Sequence, residues 1–120
     1  MDERQAIAAF AALAQEHRLR IVRMLVKAGP EGMASGTIAE EIGCSRNNVS
    51  FHLKELEHAG LVASRRESRS IIYSAAYPDL SGLIQFLMKD CCQGHPEVCD
   101  PAVTALATCC EPPITEVIHG

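Results

Sequence analysis

The sequence predicts a mostly α-helical fold with a single β-hairpin, on three observations. From Ser45 to Gly60, SRNNVSFHLKELEHAG places Val49, Leu53 and Leu56 on one face at 3.6 residues per turn. Ahead of it, TIAEEI closed by Gly43 reads as a short helix, and Gly43-Cys44-Ser45 as a tight turn between two helices. Behind it, LVASRRES and RSIIYSAA form two strand-like stretches around a polar tip. Composition agrees: 48% of residues are hydrophobic but only 4% aromatic, so the core is one of Leu, Ile, Val and Ala, which favours helices.

Taken in order, Asp2 caps a first helix running to about Ala14, with Ile7, Phe10, Ala11 and Ala14 as its apolar stripe. A second helix spans His17 to Ala28 and turns Leu19, Ile21, Val22, Leu25 and Val26 inward. Gly29-Pro30 stops it, and a loop follows through Glu31-Gly32. Ser35 starts the short third helix, Ser45 is the N-cap of the fourth, and Gly60 stands where a left-handed C-terminal cap belongs. The hairpin tip carries Arg65, Arg66 and Arg69 against Glu67. Pro78 opens a long helix, PDLSGLIQFLMKDCC, with Leu80, Leu83, Ile84, Leu87, Met88 and Cys91 along one side, and Gly94 and Pro96 end it. Asp100-Pro101 starts one more short helix, AVTALATCC. Residues 1–94 read as one domain and residues 95–120 as a cysteine-containing tail.

At 120 residues the chain suits one domain with a modest core, which makes a dimer plausible. No apolar run is long enough to span a membrane. The start, MDERQ, lacks the basic-then-apolar pattern of a secretory signal, so a cytoplasmic protein with reduced thiols is expected. The net charge of −4 is unevenly placed: −1 over residues 1–15, +2 over 16–69 and −5 over 70–120. The positive part coincides with the helix–turn–helix and hairpin, so the overall acidity does not rule out nucleic acid. It predicts weak non-specific binding.

On the fourth helix, the face opposite Val49 holds Asn47, Phe51, Lys54 and His58. An aromatic beside amides and one cation suits the edges of DNA bases better than water alone. The N-terminal half of this helix is expected in the major groove, with Ser45 and Arg46 at its entry. Asn47, Asn48 and Ser50 then reach base edges or phosphates, and Lys54 neutralises a phosphate. Phe51 either touches a thymine methyl or folds over the hairpin. His52 lies nearer the buried face and takes a structural role. Arg65, Arg66 and Arg69 hold the flanking backbone or minor groove. No Ser-His-Asp order, phosphate loop or paired-acid constellation points to an enzyme, and His58 near Glu55 is an ordinary helical pair.

Three blocks, LAQEHRLRIVRMLV, IAEEIGCSRNNVSFHLKELEHAGLV and SRRESRSIIY, resemble the ArsR/SmtB family of metal-responsive repressors over about Leu13 to Ala76. The resemblance implies a winged helix-turn-helix that pairs as a homodimer through its first and last long helices. Two recognition helices then sit about one DNA turn apart, roughly 34–36 Å. It implies binding to double-stranded operator DNA when metal-free and release on binding metal. It also sets Ser68 where the family often has Gly, so a left-handed turn there strains the serine. Two family sites are not matched. Where some members carry Cys-x-Cys, this chain has Ala39, Glu40, Glu41 and Ile42, with only Cys44 nearby. Where others bind zinc on the last helix, Asp79 and Asp90 are present but no His lies between them.

Six cysteines remain to be explained, and five lie in the last thirty residues: Cys91, Cys92, Cys99, Cys109 and Cys110. Adjacent cysteines bridge each other poorly, so clustered thiols in a reducing compartment point to metal, metalloid or redox chemistry. Cys91-Cys92-x6-Cys99 resembles the C-terminal arsenite site of one arsenical-responsive branch of the family. Soft As(III) and Sb(III) prefer thiolates, and arsenite takes three. With His95 as a fourth ligand the set also suits zinc, cadmium or lead. Cys109-Cys110 suits a methylated arsenical, which needs two sulfurs, or joins the first cluster. Cys44 packs in the turn. The expected function is therefore a metalloid-responsive repressor of arsenic resistance genes, with As(III) as inducer and no organic cofactor. An organoarsenical or Cd/Pb/Zn sensor, or a thiol redox repressor using the same cysteines, is the alternative.

Overall fold

Asp2 opens the first helix, α1 (Glu3–Leu13), with a complete capping box: its carboxylate accepts from the Gln5 backbone amide at 2.8 Å, and Gln5 Oε1 accepts from the Asp2 backbone amide at 2.9 Å. The computed structural model describes residues 1–89 together with Pro101 and Ala105. The chain divides into one compact unit, Met1–Phe86, and a second, Leu87–Gly120. The first unit holds the helix–turn–helix and the hairpin.

The expected apolar stripe of α1 is not the buried one. Ala6, Ala9 and Ala12 face the core, whereas Ile7 is 61% and Phe10 40% exposed, and Ala11 and Ala14 are exposed too. The small face wins because α1 packs on α2 and α4 at once, and methyl side chains let the backbones approach. A similar correction applies to α2 (Glu16–Ala28), where Ile21, Val22 and Leu25 are buried but Leu19 and Val26 are exposed. Its N-cap is Gln15, whose side chain accepts from the Arg18 amide.

The loop after α2 passes so close to the sheet that a Cβ on Gly32 would sit 2.3 Å from the Tyr73 carbonyl oxygen. That approach admits a strand not expected from the sequence, β1 (Met33–Ala34), paired antiparallel with Tyr73 and Ile72. Two residues carry no readable periodicity, so only the tertiary pairing defines it. Then come α3 (Ser35–Ile42), the left-handed Gly43 and α4 (Arg46–His58), the expected helix–turn–helix. Gly60, at φ +83°, completes a Schellman ending: the Leu61 amide donates to the Leu56 carbonyl and the Gly60 amide to Glu57. The same turn drops Leu61 beside Leu56 in the core.

The wing is β2 (Val62–Glu67) and β3 (Ser70–Ala75), in register from Val62↔Ala75 to Glu67↔Ser70, so the sheet order is β1-β3-β2. Its two-residue tip puts Ser68 at φ +55°, the strained conformation expected there. In α5 (Tyr77–Met88), Leu83 is buried and Leu80 and Phe86 pack against the core, but Ile84 and Leu87 of the expected stripe are exposed. Tyr77 ties the start of α5 to α2 by donating its hydroxyl to the Val26 carbonyl. Ile21, Leu25, Ile38, Val49, Leu53, Leu56 and Leu61 form the fully buried centre, with no buried polar or charged residue among those described.

Candidate nucleic-acid interface

Ser45 fixes where the recognition helix begins, its Oγ accepting from the Asn48 amide at 3.2 Å. Val49, Leu53 and Leu56 then anchor one face of α4 in the core. The remaining positions follow from helix geometry: Arg46, Asn47, Asn48, Ser50, Phe51, Lys54 and His58 are all exposed. This surface is the one the sequence indicates. The alternative placement of Phe51, folded over the hairpin, is not adopted; its ring is 57% exposed.

Beside this face runs a cleft between the start of α3, the start of α4 and the wing tip. Ser35, Gly36, Thr37, Glu40, Arg46 and Arg69 are among the residues that line it. The Arg46 guanidinium reaches α3 so closely that a Cβ on Gly36 would lie 3.3 Å from Nη2. Helix α3 starts without a side-chain cap, since its N-cap residue is Ala34. Two guanidiniums, one carboxylate and the positive end of a helix dipole therefore border one cleft next to the exposed face of α4.

The three wing arginines do not share one environment. Arg65 Nε donates to Glu67 at 2.8 Å, and its Nη atoms donate to the carbonyls of Glu31 at 2.8 Å and Pro30 at 3.5 Å. Its side chain thus ties the wing to the loop after α2. Among the described residues, Arg66 and Arg69 make no side-chain hydrogen bond or ion pair, leaving their charges to the solvent side. Alternation along β2 separates Arg65 from Arg66, because neighbouring residues point to opposite faces, and Arg69 stands in the tip beyond the strand. Ser64 further joins the wing to α4, donating to Glu57 at 2.8 Å.

Behind the reading face lies a cluster that sequence reasoning finds only in part. Arg18 Nη1 is 3.3 Å from His52 Nδ1, and its Nε donates to the Ala12 carbonyl at 2.7 Å. His17 packs its ring 5.5 Å from that of His52, and Cys44 Sγ lies 3.5 Å from His17 Nε2. His52 has the structural place expected of it, and Cys44 packs against the core. Arg18 is the residue missed: it stands 34 positions from His52, and no local pattern joins them. Burial, then the Arg18 charge, then His17, hold the His52 pKa below its ordinary 6.5. The unfolded chain therefore takes up a proton near pH 6.5 that the folded chain resists, so stability is greatest above that pH and falls as pH drops through it. Urea midpoints measured at pH 7.5 and 5.5 should show this fall, and His52→Gln should reduce it.

Cys91, Cys92, Cys99, Cys109 and Cys110, with His95, lie outside the described residues. Among the described residues, no three His, Cys, Asp or Glu side chains are grouped to hold a metal ion, and no helix is long and apolar enough to cross a membrane.

A helix–turn–helix with its polar face outward, a basic cleft beside it and an arginine-tipped hairpin define a winged helix-turn-helix DNA-binding protein. Residues 13–65 match the helix-turn-helix domain family. An uncharacterized HTH-type transcriptional regulator of Mycobacterium tuberculosis, Rv0081, is 34% identical over 80 residues, which span 67% of this chain and 68% of that one. An ArsR-like transcriptional regulator from Rhodococcus sp. RHA1 superposes with a TM-score of 0.63 at 26% identity, covering 91% of this chain and 95% of that one. The homodimeric winged helix-turn-helix DNA-binding domain Mb0332 from Mycobacterium bovis gives 0.58 at 29% identity, covering 72% and 80%. The chain belongs to the ArsR-type family of transcriptional regulators.

Proposed function

We propose that this protein is a dimeric repressor that reads operator DNA through α4 and the wing and lets go when As(III) or Sb(III) binds its C-terminal thiols. The observation that carries the DNA half is the exposed face Asn47, Asn48, Ser50, Phe51 and Lys54, flanked by the cleft bearing Arg46 and Arg69. In this reading the side chains of α4 meet base edges, while Arg46, Arg66 and Arg69 hold phosphates on either side. Arg65 acts by bracing the wing. Pairing of two copies through α1 and α5 is supported by the outward Ile7, Phe10 and Ile84 and by the homodimeric neighbour.

The sensing half rests on donor chemistry. As(III) is a soft centre that accepts three thiolates, and Cys91, Cys92 and Cys99 offer three within nine positions. Those residues would hold it, with Cys109 and Cys110 as a second pair suited to a methylated arsenical. The coupling between the metalloid and DNA sites needs the usual 1–3 kcal/mol or so to switch transcription. The test is fluorescence anisotropy on a duplex selected from a random pool. Arsenite should release the wild type, whereas Cys91→Ser, Cys92→Ser and Cys99→Ser variants should bind equally well and stay bound. Release from all three variants alike overturns the sensing site, and failure to select any duplex overturns operator reading itself.

A further inference from the structure

Phe51 is the odd member of the reading face. It lies one helical turn beyond Asn47 and three residues before Lys54, with its ring 57% exposed. A phenyl ring held in water is unfavourable unless a partner covers it. The exposed positions around it on α4 are amide, hydroxyl, ammonium and, at Glu55, carboxylate groups, none of which supplies that cover.

The ring has one aromatic neighbour. His52 meets it edge-on, with centroids 5.6 Å apart and planes at 61°. His52 is in turn held by Arg18, whose guanidinium can only donate, so Nδ1 is the acceptor at 3.3 Å. The same guanidinium donates through Nε to the Ala12 carbonyl of α1 at 2.7 Å. A chain of contacts thus runs from the end of α1 to an exposed aromatic in the groove-entering half of α4.

Unmodified base pairs present nitrogen and oxygen groups along the major groove and one apolar projection, the thymine C5 methyl. We infer that Phe51 is a specificity-determining residue that reads a thymine methyl in each half-site, and that His52, held by Arg18, is the positioning residue for its ring. The inference rests on the operator-reading function proposed above. An apolar reader contributes no salt-dependent term, so its effect is on sequence choice, not on general affinity for DNA.

Uracil in place of thymine removes that methyl and leaves the pairing edges unchanged, which makes it the natural probe. A duplex is first selected from a random pool with the wild-type protein, and each thymine is then replaced in turn by uracil. At one thymine per half-site the replacement should weaken binding about fourfold, the worth of one buried methyl. Phe51→Ala should abolish that penalty, Phe51→Leu should keep part of it, and His52→Ala should shrink it. The readout is a ratio between two duplexes on one protein, so a general loss of stability does not mimic it. A wild type indifferent to uracil at every thymine, or a Phe51→Ala variant with an unchanged penalty, overturns the reader. An unchanged penalty in His52→Ala overturns the positioning role. Should no duplex be selected at all, operator reading fails, and this inference with it.

Discussion

Leu53→Ala is expected to lower folding stability by about 2–5 kcal/mol, a large part of the roughly 5–15 kcal/mol available to a small domain. Leu53 is fully buried among Val49, Leu56, Ile38 and Ile21. Truncation removes its transfer energy and leaves a cavity that close-packed neighbours on α2 and α3 fill only in part. Because Leu53 is also the core anchor of the recognition helix, the same loss should loosen the surface that carries Asn47 and Phe51. Lys54→Ala, one residue on and exposed, provides the contrast: stability within about 0.5 kcal/mol of wild type, but weaker DNA binding. Urea unfolding followed by circular dichroism, beside anisotropy on a selected duplex, separates the two. Equal stabilities for the two variants would contradict the placement of α4.

Replacing Ile7 and Phe10 together by Glu is expected to give a folded monomer that binds operator DNA at least about a hundredfold more weakly. Both side chains lie on the outward face of α1, so charges there disturb no core contact of the single chain. In a dimer the second half-site is engaged at high effective concentration, an advantage of roughly 10²–10⁴ that a monomer forfeits. Sedimentation velocity reports the assembly and anisotropy the affinity. A double variant that still sediments as a dimer would remove α1 from the proposed interface. Ala9→Glu serves as the opposite control, since Ala9 is fully buried and a charge there should unfold the chain.

Several features follow from short-range chemistry and were legible without coordinates. Ser45 caps α4 because a hydroxyl suits the orphan amide of Asn48, and Gly60 ends it because φ +83° suits a residue without Cβ. The outward face of α4 follows once Val49, Leu53 and Leu56 are placed inward, so its exposed side chains are readable from periodicity. The hairpin and the left-handed Ser68 at its tip are equally local.

Other features depend on which partner a residue meets across the chain. Periodicity marked an apolar stripe on α1 but not the face that packs, because close approach to α2 and α4 favours Ala6, Ala9 and Ala12 over the larger Ile7 and Phe10. Nothing near Met33 announces a strand; β3 makes it one by pairing. Of three similar wing arginines, the Pro30 and Glu31 carbonyls engage Arg65 alone. Arg18, His52 and Phe51 become one braced unit only when α2 crosses α4. Residues within a turn or two of one another were enough to fix the helices, the hairpin, the Ser45 and Gly60 caps of α4 and the outward chemistry of that helix. Which apolar faces are buried, which cations are engaged and which group holds His52 beside Phe51 depend instead on distances between residues far apart in the chain, and only the packed fold sets them.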